Sequence, residues 1–221
     1  MREAGAMSRV QGDRSRAITH LAARYDEPWR AYHTRIHVQE MLTALEELTP
    51  GPLHPALELA AWAHDVVYDP HAPGGANERA SADRARRILT DAGIDAPTIN
   101  EVVDLTLATI THESPIGDDT GSGRAGDSTE ADSAEQERRD RMAAFLDADL
   151  WILSAPPERF AEYEEQIRAE FAFVPEDLFQ RGRAAILDDF ARRERLYVTE
   201  HAYRCWEPAA RRNLERIGHH G

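Results

Sequence analysis

Apolar positions in this chain recur at intervals of three and four, the spacing of one helical face. Val38, Met41, Leu42, Leu45 and Leu48 form such a set and predict a helix closed by Thr49-Pro50-Gly51-Pro52. Ile18, Leu21, Ala22 and Tyr25 predict a short helix before it, interrupted at Pro28. Further helices are predicted from Asn77 through Ala85, Ile88 and Leu89, and from Ile99 to Thr111 on Val102, Val103, Leu105, Thr106 and Ile110. Phe160, Tyr163, Ile167 and Phe171 mark another, Phe179 to Phe190 the next, and Ala209 to Ile217 the last. No alternating strand pattern and no internal repeat competes with them, so the prediction is an all-α fold.

One stretch departs from the amphipathic pattern. Leu57, Leu59, Ala60, Ala61, Trp62 and Ala63 follow in close succession and predict a helix from about Pro55 to Tyr68, buried on most of its surface. His64 and Asp65 stand side by side in that setting. A buried carboxylate without a partner gives up its charge or costs on the order of several kcal/mol. A divalent metal would satisfy the pair, and so would a His–Asp hydrogen bond that merely ends the helix. This stretch alone does not separate the two.

A second acidic pair lies in Phe145-Leu146-Asp147-Ala148-Asp149-Leu150. On a helix the two carboxylates point about 200° apart, so they do not share one task. An Asp-rich helix end is the plain alternative. His33 and His37 are four apart and share a face if one helix includes both. Asn77 and Glu78 open a helix, where capping explains them, yet they directly follow the His–Asp stretch. His112 ends a helix, where the dipole favours a cation, or it is a further ligand or phosphate contact.

Ser114 to Asp140 is rich in Gly, Ser, Thr, Asp and Glu and nearly free of large apolar side chains. Such a segment buries too little surface to offset its ordering entropy, so 114–140 is expected to be a mobile polar insertion. The rest of the 221 residues reads as one domain, 1–221.

Composition narrows the function. The formal charge of −14 argues against a nucleic-acid polymer or an anionic membrane as partner. Lysine is absent, which removes Schiff-base chemistry and the phosphate-loop lysine. The single Cys205 forms no internal disulfide and no thiolate cluster, a usage that fits a reducing cytoplasm. Met1 to Arg16 carries no apolar signal segment, and no run is apolar enough to span a membrane.

In order, His37, then His64-Asp65, then Asp147-Ala148-Asp149 resembles the metal site of the HD-domain metal-dependent phosphohydrolase superfamily. The chain is most similar to a subfamily of predicted HD phosphohydrolases. The landmarks are Tyr32-His33 with His37, His64 through Asp69, Asn77-Glu78 with Ser81-Ala82, Thr109 with His112, and Asp147-Ala148-Asp149-Leu150. Ile167-Arg168, Gly182-Arg183 and Ala210 to Leu214 extend the likeness over nearly the whole chain, with 114–140 as the departure.

The resemblance implies a helical bundle of about six to nine helices. It implies a divalent transition metal (Mn, Fe, Zn, Co or Ni, as one ion or two) on His37, His64, Asp65 and Asp149, the last preferred over Asp147. Such a metal activates a water and polarises a phosphoryl oxygen. Asp69, one helical turn beyond Asp65 if the helix continues, and Glu78 are the expected general bases. His33, His112, Arg168 and Arg183 are the expected phosphate contacts. The implied activity is hydrolysis of a small phosphate ester or nucleotide, with a homodimer among the assemblies that fit. Two other functions compete: a metal- or nucleotide-binding sensor without turnover, and an HD-type di-iron oxygenase.

Overall fold

Capping chemistry sets where several helices begin. The Thr34 hydroxyl accepts the Ile36 N–H at the start of α2 (Arg35–Leu48), and the His54 ring nitrogen accepts the Ala56 N–H at the start of α3 (Pro55–Ala63). Asp95 accepts from both the backbone and the hydroxyl of Thr98 and starts α5 (Ala96–Ala108). Gly75 and Gly93, both at positive φ, bound α4 (Ala76–Ala92), where a Cβ would be strained.

The computed structural model describes residues 2–112 and 130–218, and these residues form ten α-helices and no strand. The remaining helices are α1 (Arg2–Ala22), α6 (Glu130–Asp149), α7 (Pro157–Glu170), α8 (Glu176–Arg192), α9 (Glu200–Cys205) and α10 (Glu207–Gly218). Two 3₁₀ turns, Ala23–Asp26 and Leu150–Ser154, continue α1 and α6. The all-α expectation holds. No helix among the described residues is long and apolar enough to cross a membrane.

Helix α3 is the centre. It packs against α1, α2, α4, α5 and α6, which is why apolar residues are needed around most of its circumference. Ala56, Leu57, Leu59, Ala60, Ala61 and Ala63 are all buried. Leu21, Met41, Leu45, Leu89, Leu105 and Phe145 close on it from the surrounding elements.

Three sequence expectations about element bounds change. The central helix stops at Ala63 rather than Tyr68. Beyond it the main chain is drawn off by other partners. Arg30 donates to the carbonyls of Asp65 and Val66, and the Ser81 hydroxyl bonds both the N–H and the carbonyl of Val67. Helix α1 reaches back to Arg2 instead of starting near Ile18. Its polar part has little core to report it, but Arg14 pairs with Glu58 at 3.2 Å and Arg16 donates to the Ala92 carbonyl at 2.9 Å.

The third change concerns 114–140. Residues 114–129 lie outside the described residues, and 130–140 form the first half of α6. Apolar patterning misses this half because its support is polar. Gln136 donates to Asp140 and Arg139 pairs with Glu135 one turn apart, while Arg138 and Arg141 reach Asp104 and Glu101 on α5.

Leu57→Ala is expected to destabilise the protein by about 2 to 5 kcal/mol, since a fully buried site cannot collapse freely. Arg138→Ala removes an exposed ion pair and should cost less than about 1 kcal/mol. Urea denaturation of the two variants checks both values.

Candidate metal centre

Each donor of the site stands at the end of a helix or just past one. His37 sits in the first turn of α2, His64 is the C-terminal cap of α3, Asp65 follows it, and Asp149 closes α6. Helix ends allow the chain to turn, so three separate elements can bring side chains to one point. The side chains are 4%, 2%, 15% and 10% exposed in that order.

The His37 and His64 Nε2 atoms are 3.0 Å apart. Asp65 Oδ2 lies 2.9 Å from His64 Nε2 and 3.6 Å from His37 Nε2. Asp149 Oδ1 lies 3.3 Å and 3.4 Å from the same two nitrogens. Metal–ligand bonds of about 2.1 Å set neighbouring donors roughly 3.0 Å apart in an octahedron and roughly 3.4 Å apart in a tetrahedron. The donor spacings here match that range. His37, His64 and Asp65 thus form a group that could hold a metal ion, with Asp149 against both imidazoles. His64 Nδ1 donates to the Ala61 carbonyl at 3.0 Å, which turns its Nε2 lone pair toward the centre.

Burial and charge oppose each other here. Burial pushes the His64 imidazole down, but the carboxylates of Asp65 and Asp149 outweigh it and raise the ring well above its ordinary range. Burial pushes Asp149 up, and the His64 charge with hydrogen bonds from His112, His37 and His64 reverses this and holds it well below the usual carboxylate range. Asp65 behaves alike, held low by His64, His33 and His37 against its burial.

The centre opens into a cavity of about 580 Å³, within the range of small-molecule sites. His33, Glu78, His112 and Arg183 line it together with the four donors. His33 does not share a helical face with His37, because α2 begins after it at Arg35. It is placed instead by Glu170. This buried carboxylate accepts the N–H groups of Ala31, Tyr32 and His33, the Tyr68 hydroxyl, and His33 Nδ1 at 2.6 Å. Nε2 is then the only ring nitrogen His33 can offer a ligand. Glu78 has one carboxylate oxygen, Oε2, buried with no hydrogen-bond partner among the described residues. Arg183 is paired with Glu164 and lies over the Tyr163 ring.

Two expected residues, Asp69 and Arg168, fall elsewhere, as does the less favoured aspartate, Asp147. Asp69 is exposed, accepts from the backbone and ring of His71, and lines a different cavity. The helix that would have set it one turn from Asp65 has already ended. Arg168 closes the turn between α7 and α8, donating to the Phe171 and Val174 carbonyls and to Glu176. Asp147 faces away from Asp149 and accepts from Val198 N, Thr199 N and the Thr199 hydroxyl, each at 2.7 Å. It is an anchor for the start of α9.

Sequence patterning missed Glu170, Arg30 and Arg193. Arg30 has a fully buried side chain and donates to the carbonyls of His33 and Asp65, tying the segment before α2 to the segment after α3. Their only sequence signal is a charge beside apolar residues, which many exposed residues share.

His64→Ala and Asp65→Ala are expected to abolish metal binding. Asp147→Ala should keep it while losing about 2 to 4 kcal/mol of stability, since three donors lose their acceptor. Because the carboxylates of Asp65 and Asp149 favour a protonated His64 ring, with which a metal would compete, metal affinity should rise with pH and binding should release protons. Titration calorimetry in buffers of different ionisation enthalpy reads both effects.

Burial raises the Glu170 carboxyl, but hydrogen bonds from His33 and the loop outweigh it and lower it to about 2. A depressed carboxylate stabilises the fold above its unfolded value and loses that contribution as pH falls toward the folded value. The wild-type protein should therefore lose roughly 3 kcal/mol from this group between about pH 4.5 and pH 2. Glu170→Gln should flatten that acid limb in urea titrations run at each pH. Comparison with protein-family models, with curated proteins and with solved structures finds no match for this chain.

Proposed function

We propose that the chain is a metal-dependent phosphohydrolase acting on a small phosphate ester or nucleotide. The observation that carries this reading is the convergence of two imidazoles and two carboxylates at the wall of a cavity with further titratable groups. His37, His64, Asp65 and Asp149 would hold the metal. Mixed nitrogen and carboxylate donors suit Mn, Fe, Zn, Co or Ni. When bound, such an ion supplies Lewis acidity toward a phosphoryl oxygen and lowers the pKa of water.

The remaining roles belong to the chain. Glu78 lines the cavity, carries a carboxylate oxygen with no hydrogen-bond partner among the described residues, and would take the proton from the attacking water. The water oxygen would form the new bond to phosphorus as the ester P–O bond breaks, and the departing ester oxygen would take up a proton from solvent. His33 Nε2 and the Arg183 guanidinium would hold phosphoryl oxygens and offset the charge that builds up there. Ile110, Ile186 and Phe190 form an apolar wall that would receive the non-reacting part of the substrate. One exposed cysteine is in keeping with a cytoplasmic enzyme.

A screen of nucleotides and simple phosphate esters, run with each candidate metal, tests the activity. Turnover abolished by a chelator is the expected result. Metal-loaded protein that hydrolyses none of them sinks the enzyme reading, and iron-dependent oxygen uptake would favour an oxygenase. Glu78→Gln should lower kcat by roughly 10²-fold or more with metal content unchanged. Asp69→Asn should turn over near the wild-type rate, because its carboxylate lies outside the cavity.

A further inference from the structure

Helix α8 forms much of one wall of the cavity, yet Leu187 is its only buried residue. Arg183 ties its middle to Glu164 and Tyr163 of α7, and its C-terminal end is tied to His112. Arg193, the cap residue, donates from Nη1 to the His112 carbonyl at 2.9 Å and from Nη2 to the Thr111 carbonyl at 3.2 Å. The guanidinium lies 4.7 Å from the centre of the Phe190 ring. Phe190 in turn meets the His112 ring edge-on, with centroids 6.4 Å apart at 79°.

The residue so held has an unusual backbone. His112 has φ +49°, and among the described residues it is the one non-glycine residue at positive φ. Crowding between Cβ and the backbone disfavours this region for any side-chain-bearing residue, so it persists where surrounding contacts impose it. From that conformation His112 Nε2–H donates to Asp149 Oδ2 at 2.9 Å. The other oxygen, Oδ1, is the one against His37 and His64. His112 thus occupies one oxygen of the carboxylate and leaves a single oxygen for an ion.

We infer that Arg193 is a positioning residue for the metal centre. By clamping the Thr111 and His112 carbonyls it holds His112 in the left-handed conformation from which it orients Asp149, so the seating of α8 and the donor set are linked. The inference rests on Asp149 being a metal ligand. Groups that orient ligands in this way typically change metal affinity about 10- to 100-fold when removed.

The test compares Arg193→Ala, Arg193→Lys, His112→Ala and the double variant Arg193→Ala/His112→Ala in the full chain. Affinity for Mn²⁺ and for Zn²⁺ is measured by chelator competition. The His112 Nε2–H resonance of the metal-free protein is followed by nitrogen-15 NMR. Arg193→Ala should weaken metal binding by about tenfold or more and lose or broaden that resonance. The double variant should be no weaker than His112→Ala alone, since Arg193 acts through His112. Arg193→Lys keeps the charge but replaces two separate nitrogens in a planar fork by a single shorter-reaching one, so it should fall between wild type and alanine; it also serves if the alanine variant does not fold.

An unchanged His112 resonance in Arg193→Ala overturns the inference. So does a double variant whose loss is the product of the two single losses. If no variant and no wild-type protein binds metal, the metal reading fails, and the resonance still decides whether Arg193 holds His112 on Asp149.

Discussion

Everything in this structure answers to the burial of four ionisable groups at one point. His37, His64, Asp65 and Asp149 sit beside the apolar helix α3, with the two imidazole Nε2 atoms 3.0 Å from each other and 2.9–3.6 Å from an oxygen of each carboxylate. Carboxylates and imidazoles removed from water need charge compensation, and each other's charge is part of it. Within the protein, the carboxylates of Asp65 and Asp149 raise the His64 imidazole and so favour its positive charge. A divalent cation would satisfy the same groups and take the place of that proton. The proposed function follows from this substitution of one positive centre for another.

Holding such a point requires control of the backbone as much as of side chains. The segment from Glu27 to His33 carries no regular helix, yet its groups are paired by two buried charges. Arg30 donates to carbonyls at His33, Asp65 and Val66, and Glu170 accepts three successive N–H groups from Ala31 to His33. Ser81 and Asn77 perform the same service for the loop after α3, at Val67 and Asp69. Charged side chains suit the work because hydrogen bonds to an ionised group are about twice as strong as neutral ones. The landmarks Asn77 and Ser81 are thus clamps on the loop that follows Asp65, while their neighbour Glu78 faces the cavity.

The cavity is divided chemically. One end presents the donors with His33, Glu78 and Arg183, and the other presents Ile110, Ile186 and Phe190. A chain with a net charge of −14 repels anions at long range, so an anionic substrate depends on local cations. The proposed phosphate-binding role rests on that local reversal. Helix α8 contributes to both ends, through Arg183 and Phe190, and is tied down at its last turn by Arg193. The wall with the least core beneath it is therefore the one joined to the donor set by hydrogen bonds.

The sequence by itself determined the helices whose burial is written as periodicity. The apolar faces of α2, α5 and α7, and the continuous apolar run of α3, follow from residue type and spacing, because such surfaces have only one way to leave water. It also marked His64-Asp65 and Asp147-Ala148-Asp149 as acids in apolar surroundings, and the 200° offset on a helix foretold that the two aspartates part company. Asp149 went to the donors and Asp147 to the start of α9. What spacing could not carry is anything decided by contacts distant in the chain. Asp69 left the site because the chain turned off the helix at His64 under the pull of Arg30 and Ser81. His33 reached the cavity from outside α2 because Glu170, 137 positions away, held its ring. The first half of α6 was helical through ion pairs to α5, with no apolar face to announce it. Hydrophobic burial is a local property of a face and can be read along a sequence. A hydrogen bond between two particular charges depends on where the fold has put them, and only the tertiary structure decides that.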